Sequence, residues 1–515
     1  MYRLGIDVGG TNTDAVLIDE NMQVVAEVKR PTTNDIHTGI VDAVKSVLAQ
    51  SGVDRALIKR AMLGTTQCTN AIVERKNLAP FGIVRLGAPA STAVAPMADW
   101  ADDLKSLAAQ TAIIGGGYEH DGREIAKLDE KAARDFFEKL KASSDSVAIS
   151  CVFSTVRNDH EQRAAQICRE VMGENAHVSV SGEIGSMGLV ERENSTILNA
   201  TLYKVAAKFT EGFAQSLAEL GVTGAEVYLS QNDGTLMTME YAQKYPVLTI
   251  ACGPTNSIRG ASYLSNLSNA IVIDVGGTTT DLGMIQQGFP RESSVAVTIG
   301  GVRTNFRMPD IVSIGLGGGS IVREKDGEIT VGPDSVGYRI TEKALVFGGD
   351  TLTATDICVR LGMADVGDKS KVADIDETFA RKAMDKIREI IEDSIDTIKL
   401  SGEDVDVILV GGGSIILPED LQGARTVTKP QFFGAANAIG SAIAKVSGTY
   451  EKLVSYDETP REQALENAKS EAIAMAVKAG ADPKKVEIIN VEDTPLQYYA
   501  GNTCRVKVKA AGDLA

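Results

Sequence analysis

The chain has 515 residues, of which 43% are hydrophobic and 23% are charged, so two or three domains can each bury a core. The formal net charge of −17 argues against a nucleic-acid or anionic-membrane partner. No run approaches the ~20 apolar residues of a spanning helix, and no apolar stretch precedes the first predicted strand, so we expect a cytoplasmic protein without a signal peptide. The six cysteines are dispersed, which predicts reduced thiols.

Strands and helices are predicted to alternate through the first half of the chain. Residues 2–30 form a predicted hairpin or meander, and Ala61–Leu63 is a short strand that leads into a Gly-Thr-Thr turn. A buried strand covers Val147–Phe153. This alternation is typical of a mixed sheet with flanking helices. The predicted helices are, in chain order, Ile36–Ser51, Thr69–Arg75, Leu128–Ala142, Asp159–Met172 and Val190–Leu220.

The second half of the chain begins again with a strand, Ala270–Ile273, and another meander. A helix near Leu352–Leu361 and a long one over residues 375–400 are followed by a strand, Val405–Val410. A helix of small residues covers Gly434–Val446. The same order of strands before helices therefore occurs twice in the chain.

The composition changes after about Thr449, where a helix rich in Ala, Glu and Lys, Pro460–Lys478, precedes two short strands. We interpret this segment as a small α+β module, a separate unit or an oligomer contact. The predicted domains are an N-terminal lobe at residues 1–190, a second lobe at 191–448 and the C-terminal module at 449–515.

One nine-residue phrase occurs twice. Ile6–Asp14 reads Ile-Asp-Val-Gly-Gly-Thr-Asn-Thr-Asp, and Ile273–Asp281 differs from it only in having Thr279 where the first copy has Asn12. Each copy is predicted to be a strand, a Gly-Gly turn and a second strand. Two glycines let backbone N–H groups and threonine hydroxyls approach a phosphate, because no Cβ atom holds the backbone away. Two such hairpins suggest two lobes that close on one polyphosphate.

Acidic residues lie at the same places in both copies. A carboxylate in an apolar strand is costly unless it is paired or linked to a metal. We therefore expect Asp7 and Asp274 to hold the water shell of a Mg²⁺ ion on ATP, or to orient an attacking group; the alternative is that they only tie the turn. Asp14 and Asp281 are further catalytic candidates. The predicted phosphate-binding residues, of which alternate ones must point away from the cleft, are Gly9, Gly10, Thr11, Asn12, Thr13, Gly276, Gly277, Thr278 and Thr279.

A third glycine turn follows the strand that ends at Val410. A strand that delivers such a turn to a helix N-terminus lets a flat base or ribose lie on bare backbone. Alone this pattern is often only a tight turn, but it follows the two hairpins in a fixed order. The predicted adenosine loop consists of Gly411, Gly412, Gly413 and Ser414.

This order of hairpin, helix, second hairpin, late glycine turn and small-residue helix resembles the actin/hexokinase/Hsp70 ATPase superfamily over about residues 1–447. The resemblance implies an α/β, two-lobed actin-like ATPase with duplicated ribonuclease H-like lobes. It also implies that two helices cross between the lobes near the hinge. Here these would be Gly434–Val446 and part of Val190–Leu202.

A narrower resemblance is to the hydantoinase/oxoprolinase family. It implies ATP- and divalent-metal-dependent opening of cyclic amides, namely hydantoins, 5-oxoproline or lactams, often with a second, hydantoinase B-like subunit. We also expect a homo-oligomer. The phrases that carry the resemblance are, in order, Gly9–Asp14, Gly64–Ala71, Gly115–Arg123, Val152–Arg163, Glu191–Ala200, Asp274–Asp281, Gly317–Ile321 and Gly332–Ser335.

Some positions depart from the family pattern. Leu63 stands where the family usually has histidine before the Gly-Thr-Thr phrase, and Arg85–Pro89 does not follow the usual pattern. These departures leave the substrate and any histidine-based metal site open, while the nucleotide half is unaffected. The candidate substrate residues, for which an exposed or structural role is the alternative, are Thr65, Thr66, Asn70, His120 and Asp310.

The resulting hypothesis is an ATP-dependent amide hydrolase. An amide resists hydrolysis because its carbonyl is a poor electrophile, and phosphorylation of the carbonyl oxygen by Mg·ATP removes that obstacle. Two alternatives stay open: a small-molecule kinase of the same fold, which would leave a phosphorylated product, and an ATP-dependent switch or reactivating chaperone. Clustered cysteines for an iron–sulfur activator are absent from the sequence.

Overall fold

The computed structural model describes residues 1–10, 12–32, 36–293, 295–306, 308–497, 499 and 501–515, and it is a mixed α/β structure, as predicted. The strands are, in chain order, β1 (Tyr2–Val8), β2 (Asn12–Ile18), β3 (Val24–Pro31), β4 (Ile58–Thr65), β5 (Phe81–Ala88), β6 (Ala108–Gly115), β7 (Ser146–Cys151), β8 (His177–Val180), β9 (Glu226–Ser230), β10 (Thr235–Thr238), β11 (Ala270–Val275), β12 (Thr280–Gln286), β13 (Phe289–Pro290), β14 (Val297–Ile299), β15 (Val302–Thr304), β16 (Ile311–Ile314), β17 (Ser320–Lys325), β18 (Glu328–Ser335), β19 (Val405–Val410), β20 (Ala424–Thr428), β21 (Lys445–Ser455), β22 (Ala481–Pro495) and β23 (Thr503–Leu514).

The α-helices confirm most of the predicted ones, with ends that differ by a few residues. They are α1 (Ile36–Ser51), α2 (Gln67–Glu74), α3 (Asp102–Lys105), α4 (Glu130–Leu140), α5 (Asp159–Met172), α6 (Leu189–Glu219), α7 (Met239–Lys244), α8 (Cys252–Ser265), α9 (Ile340–Lys343), α10 (Ala354–Arg360), α11 (Glu377–Ile398), α12 (Ala436–Ile443) and α13 (Arg461–Lys478). None of the helices in the described ranges is long and apolar enough to cross a membrane.

Two sheets repeat one strand order. In the first sheet, β1, β2 and β3 form an antiparallel meander, and β4 and β9 continue from β1 in parallel. In the second sheet, β11, β12 and β13 form the meander, and β19 and β20 continue from β11 in parallel. Each copy of the nine-residue phrase therefore spans the first hairpin of its sheet.

A third sheet is inserted between α2 and α6. It consists of four parallel strands in the order β6-β5-β7-β8, and α4 and α5 pack against it. Its two central strands, β5 and β7, are buried along almost their whole length, which is expected where neighbouring elements cover both faces of a parallel sheet.

The C-terminal segment continues the first sheet. Strand β21 pairs with β10, and β23 and β22 follow it to the edge, so the sheet has nine strands in the order β22-β23-β21-β10-β9-β4-β1-β2-β3. Helix α13 covers these strands through a row of buried alanines, Ala464, Ala468, Ala472 and Ala476. The domain boundaries at 190/191 and 448/449 stay predictions, and the sheet runs across the second of them.

Helices α8 and α12 lie between the first and second sheets. Helix α12 packs on β1, β2 and β4 of the first sheet, and α8 packs mainly on β11, β12 and β19 of the second. The two helices touch through glycines: a Cβ atom on Gly260 would collide with the Ala436 carbonyl oxygen, and one on Gly440 with the Asn256 carbonyl oxygen. Such close contact fixes the two helices to each other.

The expectation that residues 190–202 form one of the inter-lobe helices is wrong. That part of α6 packs against the inserted sheet, where the Ser146 hydroxyl donates to the Ala200 carbonyl oxygen at 2.6 Å and the Ala79 N–H donates to the Thr201 carbonyl oxygen at 2.8 Å. Helix α8 takes the inter-sheet position instead. All six cysteines are buried and none forms a disulfide, and their reduced state stays a prediction.

Candidate functional site

The two hairpins have the same geometry. In each, the first glycine of the turn donates its N–H to a carbonyl three residues later: Gly9 to Asn12 at 3.0 Å and Gly276 to Thr279 at 2.9 Å. The strand register places Asp7 opposite Asp14 and Asp274 opposite Asp281. The repeated phrase thus produces two matching turns, each with a cross-strand pair of carboxylates behind it.

The tip of each turn faces open space. A Cβ atom on Gly10 or on Gly277 would meet nothing within 4 Å. Thr278 and Thr279 are exposed, and Asn12 is partly exposed. Thr13, by contrast, is fully buried, and its hydroxyl lies 3.2 Å from that of Thr32, so its side chain does not reach the cleft.

Of the predicted phosphate-binding residues, Thr11 lies outside the described residues. The burial of Thr13 follows from strand alternation, since it is the second residue of β2 and its side chain points to the side of the sheet opposite to that of Asn12. We therefore correct the binding set by removing the Thr13 side chain from it. The glycines and exposed polar residues of both turns stay in the candidate site.

The Asp7 carboxylate of the first hairpin is only 3% exposed. The Asn437 amide on α12 donates to its Oδ2 at 2.9 Å. Burial, together with the charges of Asp14 and Asp274, raises the pKa of Asp7 to about 7, and Lys29 and the nearby Asn256 amide oppose that rise. Asp7 Oδ1 and both amide atoms of Asn256 nevertheless lack a partner with hydrogen-bonding geometry.

Asp274 occupies the matching place in the second sheet. The Ser257 hydroxyl on α8 donates to its Oδ2 at 2.5 Å. Burial raises the pKa of Asp274, and the Ser257 hydroxyl opposes the rise. In both sheets, then, one oxygen of the aspartate is held by a side chain from an inter-sheet helix.

A glycine also lies against the other oxygen of each aspartate. A Cβ atom on Gly64, at the end of β4, would collide with Asp7 Oδ1 and would lie 2.5 Å from Asn256 Nδ2. A Cβ atom on Gly411, directly after β19, would collide with Asp274 Oδ1. In both halves of the molecule, a glycine therefore stands at or just after the end of the parallel strand next to the aspartate, because a side chain there would collide with the carboxylate.

The second carboxylate of each hairpin has a different neighbour. Asp14 is buried beside Lys29, with Nζ–O distances of 2.5 and 2.6 Å, and burial raises its pKa against the opposing effect of that lysine. Asp281 accepts a hydrogen bond from the Ser313 hydroxyl instead, and burial raises its pKa to about 6. A cation therefore stands beside the first hairpin pair and a hydroxyl beside the second.

The predicted adenosine loop packs directly on the second hairpin. A Cβ atom on Gly413 would collide with the Gly276 carbonyl oxygen, and Ser414 is buried. The N–H groups of Gly318 and Gly319 donate to the Gly276 and Gly277 carbonyl oxygens at 3.0 and 2.7 Å. Three glycine turns therefore meet at this place.

A cavity of about 70 Å³ opens between the first and second sheets. Its wall includes the lysine of β3 that pairs with Asp14, the Asp274 carboxylate of the second hairpin, the glycine loop and residues of both inter-sheet helices. Its lining residues are Lys29, Ser257, Asp274, Gly411, Gly412, Phe433, Gly434, Ala436 and Asn437.

Comparison with known protein families decides the identity of the chain. Residues 3–172 match the model of the hydantoinase/oxoprolinase N-terminal region, and residues 192–365 match the hydantoinase/oxoprolinase model, together more than half of the chain. The chain belongs to the hydantoinase/oxoprolinase family. The family resemblance carried by the sequence motifs is thereby confirmed.

Among curated proteins, this hydantoinase/oxoprolinase chain is similar to the caprolactamase subunit alpha of Pseudomonas jessenii. The two are 27% identical over 474 residues, which cover 86% of this chain and 65% of that subunit. The chain therefore spans slightly less than two thirds of that relative.

Solved structures show the same fold. The crystal structure of the ATP-dependent caprolactamase from Pseudomonas jessenii matches with a TM-score of 0.79 at 20% identity and covers all of this chain and 88% of that one. The nucleotide-free structure of an acetone carboxylase matches with a TM-score of 0.67 at 19% identity, over 99% of this chain and 88% of that one. These likenesses confirm the predicted α/β fold.

The candidate substrate residues divide into two groups. Thr65 and Thr66 follow β4 beside the first hairpin, where the Thr66 N–H and hydroxyl both lie 3.4 Å from the Val8 carbonyl oxygen, and Asn70 donates to the Thr66 hydroxyl at 3.3 Å. These three polar residues thus stay near the candidate site. Leu63, two residues before Thr65, points into the first core and is 1% exposed, so the family histidine has no counterpart there.

His120 and Asp310 lie outside this group. His120 follows β6 of the inserted sheet and packs edge-on against Tyr499 with ring centroids 5.0 Å apart. Asp310 is ion-paired with Arg291 at 2.5 Å and directly precedes β16, whose Ile311 pairs with Gly283 in β12, away from the turn of the second hairpin. The structure therefore does not bring these two residues to the hairpin turns.

The residues around the cavity fit a metal held through its water shell. No group of three or more His, Cys, Asp or Glu that could coordinate a metal directly occurs in the described part of the chain. Mg²⁺ usually keeps several waters and is held through one or two carboxylates together with substrate phosphates. Asp274 on the cavity wall, and Asp7 behind the lining residue Asn437 with an unpartnered Oδ1, supply carboxylates of that kind.

Four residues of the site were missed by sequence reasoning. Lys29 could have been found, because the antiparallel register of β2 and β3 places it opposite Asp14. Asn437 was part of a predicted helix but was not assigned a role. Asn256 and Ser257 gave no signal, because the polar, glycine-containing sequence of α8 does not read as a helix.

Proposed function

We propose that the chain is the ATP- and Mg²⁺-dependent component of a hydrolase that opens a cyclic amide of the hydantoin, 5-oxoproline or lactam type. Family membership supports this proposal, and so does the similarity to a protein called caprolactamase subunit alpha. The observations that carry it are the pair of matching hairpins and one cavity whose wall includes Asp274 of the second hairpin and Lys29, the ion-pair partner of Asp14 of the first.

The residues of the site have separate tasks in this proposal. The glycine turns would donate backbone N–H groups to phosphate oxygens. The space beside Gly10 and Gly277 is open, and neither residue has a side chain that would keep a phosphate away from the backbone. Lys29 stands at the cavity as a cation for the same anion. Asp7 and Asp274 would hold Mg²⁺ through waters, and Gly411–Ser414 would support the adenosine.

Bound ATP would supply the phosphoryl group that makes the amide carbonyl electrophilic. Overall, two waters are consumed: one adds across the C–N bond, with OH on the carbonyl carbon and H on the nitrogen, and the other accounts for the conversion of ATP to ADP and free phosphate. The chain would orient the acceptor oxygen toward the turns and stabilise developing negative charge with the turn N–H groups and Lys29. Thr65, Thr66 and Asn70 stand closest to the first hairpin among the candidate substrate residues.

We further propose a partner of the hydantoinase B-like type. The relative with which the chain shares 27% identity is called subunit alpha, and the chain spans 65% of it. In this arrangement the chain activates the amide and the partner completes the hydrolysis. A homo-oligomer and a cytoplasmic location also stay predictions.

The test is phosphate release from Mg·ATP by the purified chain against a panel of hydantoins, 5-oxoproline and lactams. Phosphate release stimulated by one ring class, and lost in Asp7→Asn and Asp274→Asn, would support the proposal and identify the substrate class. Asp406→Asn is the matched control, because Asp406 is ion-paired with Arg425 at the start of β19, outside the cavity lining. A phosphorylated product would indicate the kinase alternative. If ATP binds but no compound of the panel stimulates phosphate release, the proposal is wrong for the isolated chain.

A further inference from the structure

Two consecutive residues of α8 lie next to the two aspartates of the site, Asp7 and Asp274. Ser257 donates to Asp274 Oδ2 at 2.5 Å, in the second sheet. Asn256, one residue earlier, lies beside Asp7 Oδ1 in the first sheet, where its Nδ2 and that oxygen converge on the space left free by Gly64. One turn of one helix therefore reaches the carboxylates of both hairpins.

The backbone of α8 cannot shift independently at this place. The Asn256 carbonyl oxygen occupies the position that a Cβ atom on Gly440 of α12 would need. Four residues further along, Gly260 is in the same relation to the Ala436 carbonyl oxygen of α12. Since α12 also carries Asn437, which donates to Asp7 Oδ2, the side chains beside the two Asp7 oxygens come from two helices packed as one unit.

The Asn256 side chain has a buried amide without a hydrogen-bonding partner. It is 0% exposed, and neither its Nδ2 nor its Oδ1 has a partner of hydrogen-bonding geometry among the described residues. Asp7 Oδ1, its neighbour, is also unpartnered. Buried amides are rarely left in this state, because they lose their bonds to water without replacement. An apolar side chain of similar size would fill the same space without that cost.

We propose that Asn256 and Ser257 are positioning residues of the nucleotide site, which together set the two aspartates that face the metal and phosphates. Ser257 fixes the orientation of Asp274. Asn256 keeps its amide beside Asp7 Oδ1, where it can donate to that oxygen or to the water shell that the oxygen would hold. Because both residues stand on one turn of α8, the two carboxylates are adjusted together. This inference rests on the proposed nucleotide function of the cavity.

A structural role is the competing explanation, and the two differ in how the effects combine. If Asn256 acts through Asp7, replacing Asn256 matters only while Asp7 keeps its carboxylate. If Asn256 only fills space between the helices, its replacement acts equally in both backgrounds. The same reasoning applies to Ser257 and Asp274.

The experiment is a double-mutant cycle on the equilibrium dissociation constant of Mg·ADP, measured by calorimetry with wild type, Asn256→Leu, Asp7→Asn and the double variant. We expect Asn256→Leu to weaken binding roughly tenfold in the wild-type background and less than about twofold in the Asp7→Asn background. Ser257→Ala and Asp274→Asn form a second cycle with the same expectation. Ser257→Thr, which keeps the hydroxyl, is expected to restore most of the affinity.

Equal weakening in both backgrounds, in both cycles, would overturn the inference. Because Asn256→Leu is a buried change, thermal unfolding of each variant accompanies the cycle; the Ser257 cycle removes only one hydroxyl and keeps the test decisive if Asn256→Leu does not fold. Nucleotide binding without stimulation by any cyclic amide would contradict the proposed substrate alone. Absence of Mg·ADP binding by the wild type would overturn both proposals.

Discussion

The first and second hairpins share a sequence and a turn but differ in what surrounds them. Behind the first turn, Asp14 is paired with Lys29 of β3. Behind the second, Asp281 is bound only by the Ser313 hydroxyl of β16 among the contacts described. The carbonyl oxygens of the second turn are already taken by N–H groups of the Gly318 loop, while the Gly9 carbonyl of the first accepts from the Thr32 hydroxyl at 2.8 Å.

This difference shows that a duplicated phrase fixes backbone geometry while the neighbouring strands fix the electrostatics. The first hairpin has a cation at the cavity, which suits the most anionic part of a ligand. The second turn is packed against the Gly411–Ser414 loop and the Gly318 loop. The two hairpins therefore present the same backbone turn in unlike surroundings.

The largest effect is expected from the aspartates that the hairpins share. Asp7→Asn and Asp274→Asn should each lower cyclic-amide-stimulated phosphate release by roughly 100-fold or more, because each removes a charge that faces the metal. Steady-state kinetics with varied Mg²⁺ would measure this. A variant of either aspartate that keeps wild-type turnover would show that only one hairpin takes part.

The glycines beside the aspartates should come next. Gly411→Ala and Gly64→Ala are expected to lower the free energy of unfolding by roughly 2–3 kcal/mol, since each new Cβ would collide with a carboxylate oxygen. Gly411→Ala should be the more severe, because its φ of +83° also disfavours alanine. Gly412→Ala is the matched control, because the new Cβ atom would lie in open space. If denaturant unfolding gives Gly412→Ala and Gly411→Ala the same loss of unfolding free energy, this explanation is wrong.

Substitution of Lys29, the lysine beside the first hairpin, should have a smaller effect on stability. Lys29→Met leaves the buried Asp14 without its cation and should lower the free energy of unfolding by about 1–2 kcal/mol. The double variant Lys29→Met/Asp14→Asn should regain most of the lost unfolding free energy. It should not regain the affinity for Mg·ADP, since Lys29 lines the cavity. Full recovery of nucleotide affinity in the double variant would mean that Lys29 serves Asp14 alone.

The smallest effect concerns pH and the second hairpin. Because the folded-state pKa of Asp281 is raised to about 6, its contribution to stability is present below its unfolded pKa of about 4 and is lost as pH rises through about 6. Between pH 7 and pH 5, the wild type should therefore gain about 1 kcal/mol of unfolding free energy relative to Asp281→Asn. Denaturant unfolding at both pH values measures this, and parallel pH dependences would contradict it.

The sequence was sufficient for the hairpins because their determinants are local. Two adjacent glycines, alternating apolar residues and an exact repeat of spacing specify the turn without help from distant elements. The pairing of Asp7 with Asp14 follows from the same hairpin register. Lys29 could also have been derived, by extending that register to the third strand.

Helix α8 could not be predicted because its determinants are tertiary. Its sequence contains proline, two glycines and several polar residues, which are poor helix formers in isolation. Burial between the two sheets and the close contact with α12 stabilise it. Asn256 and Ser257 therefore became visible as site residues only when the folded structure placed them beside the aspartates.

The most direct test of the account is the stoichiometry of Mg·ADP binding, measured by calorimetry on the wild type, Asp7→Asn and Asp274→Asn. If the two hairpins form one site, the wild type binds one nucleotide per chain, and its affinity falls in both variants. Two independent nucleotides per chain, or an affinity that one of the two variants leaves unchanged, would contradict the claim that both hairpins hold the same ligand.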